Sequence, residues 1–197
     1  GVAAIVEGGQ TMNPSTQDIL NAFENLPTDR IIILPNNKNI ILAAQSAAGL
    51  TVKNVAVIPS RTIPEGMAAI LRLVPEGDLD SVVAEMTAAI GEVQTGEITT
   101  AVRNADIEGV AVQEGAIIAL LNRKVVCSAS TLDEACRRLL EKARAEDYEL
   151  VTLFYGAEVT KHEANHIADD IRNAYPNLDV ELQDGGQPHY QFILSIE

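Results

Sequence analysis

Tryptophan is absent from this 197-residue chain, and aromatic residues make up only 4% of it. A core therefore has to be assembled from Ala, Val, Ile and Leu, which an apolar content of 47% supplies. Basic residues are scarce, with 14 Lys and Arg against 28 Asp and Glu and a net charge of −14. A field of that sign repels phosphate backbones and anionic lipid surfaces, which argues against nucleic-acid binding and against membrane docking. No apolar run approaches the roughly 20 residues that cross a bilayer. The opening GVAAIVEGG has neither a basic n-region nor a cleavage site, so it does not read as a signal peptide. It reads as a strand belonging to a longer protein. Only two cysteines occur, Cys127 and Cys136, at no metal-type spacing. They read as reduced, structural thiols of a cytoplasmic protein. Phosphate-transfer signatures are missing too, with no G-x-x-x-x-G-K-[ST] loop and no G-x-G-x-x-G after a strand, and the G-x-S-x-G nucleophile elbow of hydrolases is absent as well.

What is present is a repeated rhythm of apolar run, polar loop and helix pattern. Ala3–Val6 leads through GGQTMNPS into a helix from about Thr16; Ile31–Leu34 leads through PNNKN into Ile40–Ala48; Val55–Ile58 leads through PSRTIPEG into Met67–Leu73. Alternation of this kind points to a parallel sheet with helical crossovers. Ser15 suits an N-cap with Asp18 in the first turn, Asn37 or Asn39 suits the cap of the second helix, and Pro64 suits the first turn of the third. Another helix spans Leu79–Gly91. From Thr95 to Val126 short strands broken by Gly, Asn and Asp read as a β-meander. Thr131 and Glu134 then open a helix, followed by a strand at Leu150–Tyr155, a helix at Lys161–Tyr175, and strands at Leu178–Gln183 and Tyr190–Ile196. The expected fold is α/β with two lobes, residues 1–127 carrying the parallel sheet and the meander and residues 128–197 forming a smaller α/β lobe.

Ligands of a parallel α/β sheet bind beyond the carboxyl ends of its strands. If the first three strands are neighbours, three polar loops share that edge. They bring Gly9, Gln10, Thr11, Asn13 and Ser15 from the first, Asn36, Asn37, Lys38 and Asn39 from the second, and Ser60, Arg61 and Thr62 from the third. Each loop ends at a helix N-terminus, where unpaired N–H groups and the helix dipole favour an anion. Lys38 and Arg61 add positive charge in a chain otherwise short of it. The same Asn, Ser and Thr residues also build turns and caps for purely local reasons.

His162-Glu163-Ala164-Asn165-His166 fits H-E-x-x-H, in which two histidines one turn apart bind zinc and the glutamate activates water. Here Thr160 and Glu163 form a capping-box pattern, which gives Glu163 a structural task. At 100° per residue Ala164, Ile167, Ala168, Ile171 and Tyr175 share one face, while His162 and His166 fall opposite with Asp169 and Asp170. The expectation is a solvated surface string, with no catalytic residue and no metal ligand in this chain.

Several strings carry a resemblance. VEGGQTMNPSTQDIL, ILPNNKNIILAAQSAA, VIPSRTIPEGMAAIL, TGEITTAVRNADIEGVAV and DGGQPHYQFILSIE resemble the C-terminal region of the fatty acid kinase family, also called dihydroxyacetone kinase-like or DAK-phosphatase-like. The resemblance covers essentially the whole chain. It implies a DegV-like fold of two α/β lobes with a cleft between them. It also implies an upstream kinase domain that binds ATP and magnesium and a middle domain, neither present in this sequence. The implied partners are the protein's own kinase domain and a separate DegV-like fatty-acid-binding carrier. The expected role is that of a non-catalytic domain that recognises the lipid-loaded carrier or organises the kinase. The alternative is a module that binds a small anionic ligand, a fatty acid or phosphorylated metabolite, in the interlobe cleft.

Overall fold

The computed structural model describes residues 2–8, 13–107 and 109–197. The chain divides into two compact units, Gly1–Glu92 and Val93–Glu197.

The first unit is built on two short parallel strands, β1 (Arg30–Ile33) and β2 (Asn54–Val57). Four helices cover them: α1 (Thr16–Glu24), α2 (Ile41–Ala48), α3 (Ile63–Leu71) and α4 (Leu79–Ala89). The strands are apolar along almost their whole length, as strands covered on both faces must be. Alternation sends Ile31, Ile33, Val55 and Val57 toward α1 and α2, where Phe23, Ala44 and Ala47 are buried. It sends Ile32 and, just past the strands, Leu34 and Ile58 toward α3 and α4, against Ala69, Val82 and Met86. Ser15 caps α1 with a capping box, its hydroxyl accepting the Asp18 N–H while the Asp18 carboxylate accepts the Ser15 N–H. Pro64 lies in the first turn of α3, as its fixed φ favours.

The second unit is a six-stranded mixed sheet with two helices on one face. Its strands are β3 (Gln94–Thr100), β6 (Ile117–Leu121), β7 (Lys124–Ala129), β8 (Leu150–Tyr155), β9 (Asp179–Asp184) and β10 (Tyr190–Ile196), in the order β7-β6-β3-β10-β8-β9. Strands β4 (Ala105–Ile107) and β5 (Val110–Val112) form a separate antiparallel ribbon between β3 and β6. Helices α5 (Leu132–Ala143) and α6 (Lys161–Ala174) bury Leu139, Leu140, Ile167 and Ile171 against Ile98, Leu153, Phe192 and Leu194. Gly96 lets α5 approach β3 closely, since a methyl there would stand 2.7 Å from a Leu139 methyl carbon. Cys127 and Cys136 are both free and buried in this core, and burial pushes both thiols up from their ordinary range.

Three sequence expectations are corrected. Residues 2–8 form no strand and Ile5 is 83% exposed, so the sheet of the first unit has two strands among the described residues. An apolar run becomes a strand only when a ladder accepts it, and nothing described pairs with Ala3–Val6. The division between the units falls at residue 92 rather than 127, because the meander strand β3 pairs with the last strand, β10, and so joins β6 and β7 to the C-terminal sheet. Finally, neither Asn37 nor Asn39 caps α2. Ile40 holds the N-cap position without a side-chain bond, and the Asn37 carboxamide oxygen instead accepts the Asn39 N–H at 2.9 Å.

Candidate functional site

Two of the three polar loops come together at the carboxyl ends of β1 and β2. Asn36 leaves β1 in the left-handed region, with φ of 55°, which asparagine tolerates better than most side chains. Its N–H donates to the Ser60 hydroxyl oxygen at 3.0 Å, and the Ser60 hydroxyl donates back to the Asn36 carboxamide oxygen at 2.8 Å. Ser60 is fully buried, so this exchange satisfies a hydroxyl that has no water to turn to. The Asn36 carboxamide also rests on α3 at Gly66, where any Cβ would overlap it. Sequence reading assigned this glycine no role; what requires it is a close approach from a residue 30 positions away.

The third of these loop residues, Thr62, is buried and caps α3, its hydroxyl oxygen accepting the Glu65 N–H at 3.2 Å. The Glu65 carboxylate turns back and accepts the Arg61 N–H. The start of α3 therefore already has a carboxylate of its own chain, which lowers its appeal to an external anion. Ser60, Thr62 and the Asn36 carboxamide are engaged within the fold. Lys38, Asn39 and Arg61 are exposed, and Asn37 is half-buried.

The first loop is different. Gly9, Gln10 and Thr11 lie outside the described residues. Asn13 is exposed and Ser15 serves α1, and no bond among the described residues ties either to the other two loops.

The five cations of the first unit are used unequally. Arg30 donates to the carbonyls of Gly77 and Pro75, Lys53 to those of Leu26 and Thr28, and Arg72 pairs with Glu92 at 2.8 Å. Lys38 and Arg61 make no ion pair among the described residues. Helix α3 itself carries a feature that the sequence reading missed. Ile63, Met67 and Leu71 stand at i, i+4 and i+8 on α3 and are 48%, 41% and 77% exposed. The spacing was visible, but α3 is apolar nearly all round, so periodicity alone could not separate its outer stripe from its buried face.

The H-E-x-x-H string lies on the outer face of α6. His162, Glu163 and His166 are exposed while Ala164, Ile167, Ala168 and Ile171 are buried. Thr160 caps the helix by accepting the Glu163 N–H at 3.2 Å, and His166 meets Asp170 at 3.0 Å on the surface. Among the described residues no group of three or more His, Cys, Asp or Glu is placed to hold a metal ion. A cavity of about 160 Å³ in the second unit, lined by Glu146, Tyr148, Tyr175 and Asn177, is smaller than the ~300–1,000 Å³ of typical small-molecule sites. No described helix is long and apolar enough to cross a membrane.

The chain is 38% identical over all 197 residues to protein YloV of Bacillus subtilis and 39% identical to an uncharacterized protein, SERP0792, of Staphylococcus epidermidis. It spans 36% of the length of each of them. Its fold matches that of the Streptococcus pneumoniae Fatty Acid Kinase (Fak) B3 protein loaded with linoleic acid, with a TM-score of 0.68 at 13% identity over 93% of this chain and 76% of that one. It also matches a fatty-acid-binding DegV family protein from Thermus thermophilus, with a TM-score of 0.65 at 13% identity over 94% and 78% of the two chains. The DegV-like α/β fold expected from the sequence is thus the fold observed. The family model for the FakA-like C-terminal region of fatty acid kinases matches residues 1–197, and the chain belongs to that family.

Proposed function

We propose that this chain is a non-catalytic docking domain of a fatty-acid-kinase-like parent protein. It recognises a lipid-loaded DegV-like carrier or organises the parent's kinase domain through the loop edge beyond β1 and β2. ATP and magnesium belong, on this reading, to the part of the parent outside the chain. The observation that carries the reading is the combination of family membership with a loop edge whose buried hydroxyls are consumed internally. Such an edge offers shape and exposed charge to a partner, and among the described residues no group of three or more His, Cys, Asp or Glu is placed to hold a metal ion.

A second reading is favoured by the fold alone. Proteins of this fold have been crystallised with linoleic and heptadecanoic acids, so the chain could be a module that binds a fatty acid, or a phosphorylated metabolite, itself. Native mass spectrometry of the purified chain after incubation with oleate separates the readings: a retained lipid mass supports the second, and a lipid-free mass counts against it. The first reading is tested by deleting the segment from the parent protein and assaying phosphorylation of carrier-bound fatty acid. Loss of that activity, with ATP binding retained, is the expected result. Undiminished phosphorylation would sink the proposal.

A further inference from the structure

We infer that the open side of β1 takes up a further parallel strand, apolar on both faces, supplied by the part of the parent protein outside this chain. The inference needs only that the chain belongs to a longer protein, and it stands apart from the docking reading. The backbone of β1 carries it. The carbonyls of Asp29 and Ile33 accept the N–H groups of Asn54 and Ile58 on the β2 side. Alternate residues of a parallel strand face the same neighbour, so Ile31 also turns its backbone to β2, and Ile32 turns its N–H and C=O the other way. No described strand meets them there, and Ile32 has no backbone partner among the described residues. Yet Ile31 and Ile33 pack on the α1 and α2 side and Ile32 on the α3 and α4 side. A strand covered on both faces belongs inside a parallel sheet, and the run Ile31–Leu34 has no charge to guard an open edge.

Strand β2 has an open side as well, and handedness chooses between the two. Helices α1 and α2 share one face of the sheet, and α2 carries the chain from β1 to β2. A right-handed crossover through α1 on that same face enters β1 from the side away from β2. The place for a preceding strand is therefore beside Ile32. Ala3–Val6 comes before α1 but is exposed and joins no ladder among the described residues, which leaves that place unfilled.

Three observations point outside the chain for the occupant. Ten of the twelve large apolar residues exposed among the described residues lie in the first unit, so it is this unit whose apolar surface lacks cover. The two fatty-acid-binding folds described above align with 93–94% of this chain but only 76–78% of their own, so about a quarter of each has no counterpart here. The relatives YloV and SERP0792 are long enough to supply it, since this chain spans 36% of each.

Residue-resolved deuterium exchange on the purified full-length parent, without carrier, tests the inference. Ile31 and Ile33 bond to β2 and serve as internal controls for an intact β1. The expected result is an Ile32 amide that exchanges within about tenfold of theirs, together with a similarly slow run of four or more amides outside these residues. An Ile32 amide at least about 100-fold faster than both controls would overturn the inference. The exposed-site variant Ile5→Gly/Val6→Gly of the parent separates the sources of the strand. Slow Ile32 exchange that persists in it supports a strand from outside the chain. Ile32 protection lost while Ile31 and Ile33 stay slow would make Ala3–Val6 the occupant and overturn the inference. Protection that disappears on dilution would place the strand in a second copy and overturn it too.

Discussion

Asn36 and Ser60 exchange two hydrogen bonds across 24 positions of sequence, and this pair fixes the two strand-end loops to each other. Removing the hydroxyl leaves both Asn36 groups short of a partner. Ser60→Ala should therefore destabilise the chain by about 1–3 kcal/mol, the range for leaving buried polar groups unpaired. Urea unfolding of the two proteins measures it, and Ser60→Thr should not restore the loss in so closely packed a site.

Gly66→Ala is expected to lower stability, against the usual trend. In an exposed helix interior alanine improves on glycine by about 1 kcal/mol. Here its methyl would overlap the Asn36 carboxamide, and overpacking costs about 1–3 kcal/mol. Because Ser60 and Gly66 act on the same asparagine, the double variant should be less destabilised than the sum of the singles. Thermal melts of the four proteins in the cycle test both statements.

The H-E-x-x-H string should behave as surface. His162→Ala and His166→Ala are each expected to change stability by no more than about 0.5 kcal/mol, and the wild-type chain should carry no stoichiometric zinc. Elemental analysis decides the second point. Stoichiometric zinc that disappears in His162→Ala would contradict this and make the string a metal site.

Two carboxylates should show opposite pH signatures. Hydrogen bonds from the Ser15 hydroxyl and N–H hold Asp18 below its ordinary value of 3.8, so its contribution is present above that pH and is lost as pH falls through the depressed folded value. Asp18→Asn should be less stable than wild type at pH 7, with the gap closing in acid. Glu97 on β3 is half-buried, and desolvation raises it above its ordinary value of 4.5, with Arg123 opposing. A raised carboxyl favours the fold below pH 4.5 and penalises it as pH rises through the folded value. Glu97→Gln should therefore raise the melting temperature at pH 7 and lose that advantage below pH 4.5.

Much of this fold was legible because local signals and tertiary context agreed. Ser15, Thr131 and Thr160 each announced a helix start that the structure uses, and Pro64 marked the first turn of α3. The pairing of β3 with β10 was not legible, since it joins residues nearly a hundred positions apart that share only an apolar pattern. That pairing moved the division between the units. Ala3–Val6 failed as a strand for the complementary reason: its composition fits one, but no described neighbour completes the ladder. At the loop edge the residue types were legible and their partners were not. Asn36, Ser60 and Thr62 looked like ligand groups and are spent on each other, on Gly66 and on a helix cap, whereas the exposed Ile63–Met67–Leu71 stripe was hidden in a helix apolar on nearly every side.

The most direct test of the docking role is calorimetry of this chain with the DegV-family fatty-acid-binding protein of the same organism, once loaded with oleate and once empty. The account predicts saturable one-to-one binding, tighter for the loaded form. No detectable binding of either form at about 100 µM, where a complex worth only about −5.5 kcal/mol would be half formed, would contradict it.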